Sequence, residues 1–289
     1  HHHAHAAACM AEHGLALDHP PVLALVQDGI GLGEEGELWG AELLLCDYRS
    51  ARRLATLKPA RLLGGDKAAR EPWRNLAARL SVAFGDRRNW PGRFQAMLED
   101  RPLDPLLRAA QAGLNAPPCS SAGRLFDAVS AAAGLCVDRQ DYEGEAAMRL
   151  QSSAERWITR HGAPDGYPFD LAVAYDRLMV VDPEAIWSAI AEDVDRGAEP
   201  GEIAARFHVG YARVWGDAVR SAAKGLDGLP TVVLSGGVFQ NRLLAAMVRS
   251  GLAASGFAVL QHRDIPANDG GLALGQGVVA LARHRASNR

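Results

Sequence analysis

The spacing of hydrophobic and polar positions changes several times along the chain. Residues 1–13 mix histidines with Ala, Met and Glu, contain no proline or β-branched residue and stop at Gly14, which predicts an opening helix. The unbroken apolar run Val22-Leu23-Ala24-Leu25-Val26 predicts a buried strand. The glycine-rich stretch from Gln27 to Gly36 predicts a turn and residues 37–46 a second strand, so 22–46 reads as strand, turn, strand. From Asp66 to about Asn115 the spacing is helical through Trp73, Leu76 and Leu80, with Asp66 as N-cap after Gly64-Gly65. Further helices are expected at 122–135, 143–157, 186–194 and 203–223, which makes the middle mostly α. The pattern then switches to a strand at 231–234, a helix at 241–254, a strand at 257–260 and a helix at 269–284. That order is a βαβ unit with a helical tail, and it implies parallel strands in an α/β sheet.

Composition narrows the class. With 289 residues, 48% hydrophobic and 22% charged, the chain has ample material for a core and is not a disordered polymer. Its 31 basic and 34 acidic residues give a net charge of −3, which argues against a nucleic-acid partner. No apolar run reaches membrane-spanning length and the start lacks a signal-peptide pattern, so a cytoplasmic protein with no membrane partner is expected. Cys9, Cys46, Cys119 and Cys136 stand far apart without C-x-x-C spacing, which predicts free thiols.

The chemistry-bearing residues sit mostly in turns and at helix starts. In His1-His2-His3-Ala4-His5, the i and i+4 positions of a helix share a face, so His1 and His5 can offer two imidazoles to one metal while His2 and His3 point elsewhere. A tag remnant or a solvated helix end would give the same letters. Two histidines need carboxylate company, and Asp269 and Asp28 are the candidates. Asp269 also reads as a helix N-cap and Asp28 as an Asx-type turn residue. Gly31-Leu32-Gly33-Glu34-Glu35-Gly36 has the letters of a dinucleotide fingerprint, but a strand follows where a helix is required and two glutamates would repel a pyrophosphate. The turn Ser235-Gly236-Gly237-Val238-Phe239-Gln240-Asn241 joins a strand to a helix, where α/β folds bind ligands on backbone N–H groups. Ser120-Ser121-Ala122-Gly123 and Gly64-Gly65-Asp66-Lys67 are further helix-opening turns, and several such turns in one chain suggest a nucleotide. No G-x-S-x-G and no convincing Cys and His arrangement is present, which points to an enzyme that polarises and positions a substrate whose own nucleophile attacks.

Six motifs in fixed order carry a resemblance. They are the opening histidines, the stretch 64–74, the stretch 120–129, Tyr142-Glu143-Gly144-Glu145-Ala146-Ala147, the stretch 235–244 and the stretch 268–276. Together they resemble the HypF family of carbamoyltransferases, which mature nickel-iron hydrogenases. The resemblance implies the C-terminal transferase module, an actin-like ASKHA (ribonuclease H-like) two-lobed α/β fold with a helical insertion, related to the tRNA threonylcarbamoyltransferases. It implies that the first lobe is largely truncated. Residues 1–20 would be its metal-site helix, 21–265 the second lobe, and 266–289 a helix returning to the first; exposed apolar surface is an expected consequence. It further implies transfer of a carbamoyl group from carbamoyl-adenylate, made from carbamoyl phosphate and ATP in a separate domain, to the C-terminal cysteine of the partner HypE. His1, His5, Asp28 and Asp269 fall on metal positions of the family, and iron or zinc suits that set. Ser121, Arg124, Asp127, Gly144, Gly236, Gly237, Asn241 and Gly270 fall on nucleotide positions, with Lys67 and Arg70 as cations for phosphate or carbamoyl. The alternatives are a small-molecule O-carbamoyltransferase of the antibiotic-tailoring kind and a nucleotide-binding module that docks HypE without catalysis.

Overall fold

The apolar run 22–26 lies at the centre of a sheet, and every residue in it is fully buried. Each large side chain buried there stabilises the fold by about 1.5–3 kcal/mol. The computed structural model describes every residue except Glu34, Tyr175, Asp176 and Arg289. In chain order its elements are α1 (His2–Glu12), β1 (Val22–Leu32), β2 (Leu38–Cys46), β3 (Ala51–Leu57), β4 (Ala60–Arg61), α2 (Pro72–Phe84), α3 (Gly92–Met97), α4 (Leu103–Gln111), β5 (Pro118–Cys119) and α5 (Ala122–Ala132). There follow α6 (Glu145–His161), β6 (Asp170–Val173), β7 (Met179–Asp182), α7 (Glu184–Asp195), α8 (Pro200–Ala223), β8 (Val232–Ser235), α9 (Arg242–Ala254), β9 (Val259–Gln261) and α10 (Leu272–Ser287). The mixed α/β class expected from the pattern is what the chain adopts. No helix among the described residues is long and apolar enough to cross a membrane.

The chain divides into two units. The first comprises His1–Leu57, Leu171–Val181 and Ala212–Arg289. Its strands run in the order β6-β7-β3-β2-β1-β8-β9. β2 is antiparallel to both β1 and β3, whereas β1 with β8 and β8 with β9 are parallel, as the βαβ pattern requires. Helix α1 is buried along most of its length, and its run of alanines lets neighbours approach closely. One neighbour is α10: a Cβ at Gly275 would stand 1.9 Å from the carbonyl oxygen of Ala4, so only glycine permits this crossing. On α10 the side chains of Leu274 and Leu281 remain exposed.

The second unit comprises Lys58–Asp170 and Asp182–Tyr211. It is helical, with α2 packed on α5 and α7, and α5 on α6. A fully buried aromatic group of Phe126, Phe207 and Tyr211 forms its core, the Phe126 and Phe207 rings meeting edge to face at 4.9 Å.

Three local expectations are corrected. The predicted turn from Gln27 to Gly36 is largely strand, since β1 continues to Leu32 through a register shift between Gln27 and Gly31; Glu34 lies outside the described residues. The glycine at 31 reflects crowding, because a Cβ there would fall 2.4 Å from the His1 ring and 2.6 Å from the His2 ring. Asp66 is not an N-cap: it lies inside a short 3-10 turn, Gly65–Ala69, and the helix proper starts at Pro72, where a proline is well suited to the first turn. The long helical stretch to Asn115 is accordingly broken into α2, α3 and α4, and the middle also holds the strands β3, β6 and β7.

Candidate functional site

Helix α1 sets one side of the site in the first unit. Its i, i+4 geometry brings the His1 and His5 rings to a centroid separation of 4.9 Å. His2 and His3 turn away, each donating from Nε2 to a backbone carbonyl, that of Gly40 at 3.1 Å and that of Asp47 at 2.7 Å. Burial pushes the His2 imidazole down to about 4, so it is a neutral anchor for α1.

Sheet register sets the other side. Parallel pairing places Val26 opposite Ser235, so Asp28, two residues on, meets the turn after β8. The Gly237 N–H donates to Asp28 Oδ1 at 3.3 Å, and Asp28 Oδ2 faces His1 Nε2 at 2.9 Å and His5 Nε2 at 3.4 Å. Asp269 arrives from the loop between β9 and α10, its Oδ1 3.5 Å from His1 Nε2 and 3.4 Å from His5 Nε2. The cap at that position is Asn268, whose side chain accepts from the Gly270 N–H at 3.1 Å, which leaves the Asp269 carboxylate free to face the histidines. Gly270 thus sits in this capped turn, Gly236 precedes Gly237, and Asn241, four residues on, caps α9 by accepting from the Leu244 N–H.

One ligand atom from each of His1, His5, Asp28 and Asp269 lies within 4.8 Å of the others. Burial of Asp28 works against its ionisation, but the adjacent imidazoles outweigh it and hold its carboxyl well below the ordinary range. The hydrogen bond to Asp28 raises His1. His5 Nε2 is buried and makes no hydrogen bond, although two carboxylate oxygens lie at 3.4 Å. A buried ring nitrogen without a partner, aimed between two carboxylates, is poorly served by protein alone and well served by a cation. Two imidazole nitrogens and two carboxylate oxygens make a donor set that fits a divalent transition metal.

The remaining predicted residues lie in the second unit. Ser121 caps α5, its Oγ accepting from the Arg124 N–H at 3.0 Å. Arg124 Nε donates to Asp127 Oδ2 at 2.7 Å. Lys67 and Arg70, on and just after the 3-10 turn, are exposed and form no ion pair with a described residue. Gly144 adopts φ +79° as it opens α6. Two residues with no local signal in the sequence tie these pieces together. Asn75 Nδ2 donates to Ala68 O at 2.8 Å and reaches Asp127 Oδ2 at 3.5 Å. Gln140 donates to Ala69 O and Arg70 O and accepts from the Ala146 N–H at 2.9 Å.

Asp127 is buried, and desolvation pushes its carboxyl from 3.8 up to about 6. The folded chain therefore takes up this proton before the unfolded chain does. As pH falls from about 6 to about 3.8 the group's contribution to stability rises, by about 3 kcal/mol at most; above pH 6 its full cost is present. Unfolding free energies of wild type and Asp127→Asn should therefore change in wild type's favour as pH drops through that window. A difference independent of pH would refute this.

The profile described as "Carbamoyltransferase, Kae1-like Domain, second subdomain" matches residues 24–276. The chain is 43% identical over 287 residues to the carbamoyltransferase HypF of Rhodobacter capsulatus, covering 98% of this chain and 35% of that protein. It is 39% identical over 290 residues to a carbamoyltransferase HypF homolog of Cupriavidus necator, covering 99% of this chain and 71% of that protein. It superposes on full-length HypF solved in a phosphate- and nucleotide-bound form with a TM-score of 0.87 at 37% identity, covering 97% of this chain and 42% of that one. The chain spans about a third of the length of the Rhodobacter relative.

Proposed function

Since the chain belongs to the HypF carbamoyltransferase family, with its Kae1-like α/β fold, we propose that it carries the carbamoyl-transfer step of nickel-iron hydrogenase maturation. The observation that carries this reading is the convergence of His1, His5, Asp28 and Asp269 around a buried, unpartnered imidazole nitrogen. These four residues hold one divalent metal, iron or zinc. When bound there, the metal supplies Lewis-acid polarisation of the carbamoyl group.

The substrate is carbamoyl-adenylate, made from carbamoyl phosphate and ATP by a separate adenylate-forming domain. Gly236, Gly237, Asn241 and Gly270 are its nucleotide-binding residues in the first unit, where the turn after β8 and the start of α9 let its phosphate approach the backbone. In the second unit, Ser121, Arg124, Asp127 and Gly144 are nucleotide-binding residues, and Lys67 and Arg70, without an ion pair among the described residues, are cations suited to phosphate or carbamoyl oxygens. The acceptor is the C-terminal cysteine of HypE. Its thiolate sulfur bonds to the carbamoyl carbon, the bond from that carbon to the phosphate oxygen breaks, and AMP leaves with the electron pair. The reaction is cytoplasmic, and Cys9, Cys46, Cys119 and Cys136 are buried and form no disulfide with one another.

Incubating the purified chain with carbamoyl-adenylate and a peptide ending in cysteine tests the reading. Metal-dependent release of AMP together with a carbamoylated thiol is the expected result. Release of AMP without thiol carbamoylation would refute the acceptor assignment, and no release with metal bound would refute the transfer assignment.

A further inference from the structure

Helix α1 ends in Glu12, seven positions after His5 and so on the same face. One carboxylate oxygen, Oε1, accepts three backbone N–H groups, those of Arg263 at 3.0 Å, Asp264 at 2.5 Å and Ile265 at 3.0 Å. The other oxygen accepts from His262 Nδ1 at 3.0 Å. His262 Nε2 lies 2.8 Å from Ser235 Oγ, and that hydroxyl donates to the carbonyl oxygen of His5 at 3.0 Å. A closed polar chain thus runs from the last turn of the metal helix, through the strand end and the loop that leads to Asp269, back to His5.

The order Ser, His, Glu has the letters of a hydrolytic triad, but the geometry excludes that use. Ser235 is fully buried and its proton is given to the His5 carbonyl, so no substrate reaches it. What the chain does is mechanical. The Asp269 side chain is 70% exposed, and among the described residues its carboxylate faces only the two imidazoles. Its position therefore depends on the backbone of the preceding loop. That loop is held by Glu12, by the contact of His262 with Ser235 and by the Gly236 N–H donating to Ala267 O at 3.0 Å.

We propose that Glu12 and His262 are positioning residues of the metal site, clamping residues 262–265 to helix α1 so that Asp269 meets His1 and His5 at ligand distance. The inference rests on the reading of that cluster as a metal site. The Glu12 charge suits a permanent clamp. Against the desolvation of its burial, the N–H groups of Ile265, Asp264 and Arg263 draw the Glu12 carboxyl down to about 2, so it stays ionised throughout the physiological range.

Cobalt(II) titration of the full chain, followed by its visible absorption, tests the proposal. Glu12→Ala should weaken cobalt binding about 10–100-fold and alter the ligand-field bands. Glu12→Gln, which keeps an acceptor for the three N–H groups, should recover most of the affinity, and it carries the test if the alanine variant does not fold. His262→Gln should weaken binding less than Glu12→Ala. Because the clamp acts through Asp269, Glu12→Ala should cost little further affinity in an Asp269→Ala background. Unchanged cobalt affinity in Glu12→Ala, or the same fold-loss with and without Asp269, overturns the positioning role. Failure of the wild-type chain to bind cobalt overturns the metal reading itself, and the inference with it.

Discussion

Replacing His5 with alanine is expected to lower the rate of carbamoyl transfer by at least about a thousandfold, about 4 kcal/mol of transition-state stabilisation. The size follows from geometry. His5 Nε2 is the one buried member of the cluster with no hydrogen bond, so its service to the fold is small and its service to a bound cation large. Alanine also favours the helix in which it would sit. The unfolding midpoint without metal should therefore stay close to wild type while AMP release collapses. Activity within tenfold of wild type in the folded variant would remove His5 from the reaction.

Gly275→Ala should destabilise the chain by about 2 kcal/mol, opposite in sign to the usual effect of this substitution inside a helix. Leaving glycine ordinarily gains up to about 1 kcal/mol. Here the added methyl would stand 1.9 Å from Ala4 O and 2.7 Å from Ala4 C, which α1 can relieve only by moving away. Overpacking of this kind costs about 1–3 kcal/mol or more, so the clash wins. Gly277, on the same helix, has nothing within 4 Å of the corresponding position, so Gly277→Ala should stabilise by up to about 1 kcal/mol. Paired denaturant titrations decide the matter. Equal shifts of the same sign would show that the contact between α1 and α10 does not constrain position 275.

The elements legible in the sequence are those whose packing leaves a local trace. Helix α1, the first half of β1 and the βαβ unit from β8 to β9 all have unbroken apolar runs or capping residues. β3 is not legible because Arg52 and Arg53 interrupt it and only Ala55-Thr56-Leu57 is buried. β6 lies at the sheet edge and is mostly exposed, so it carries no apolar run at all. In the site, the histidine pair is legible from helical spacing. For Asp28 the residues alone leave a turn as open as ligation, and for a lone Asp269 they favour a helix cap. The register of Val26 with Ser235 and the capping by Asn268 decide where those carboxylates point, and both are tertiary facts. Glu12 has one available signal, its place seven residues beyond His5, but its partners lie some 250 positions away.

In the proposed function, residues from both ends of the chain form one metal site. Elemental analysis of the purified chain for iron and zinc, beside His5→Ala and Asp269→Ala, tests it most directly. About one divalent ion per wild-type chain, lost or strongly weakened in both variants, is the predicted result. No stoichiometric metal in the wild type, or full occupancy in both variants, would contradict it.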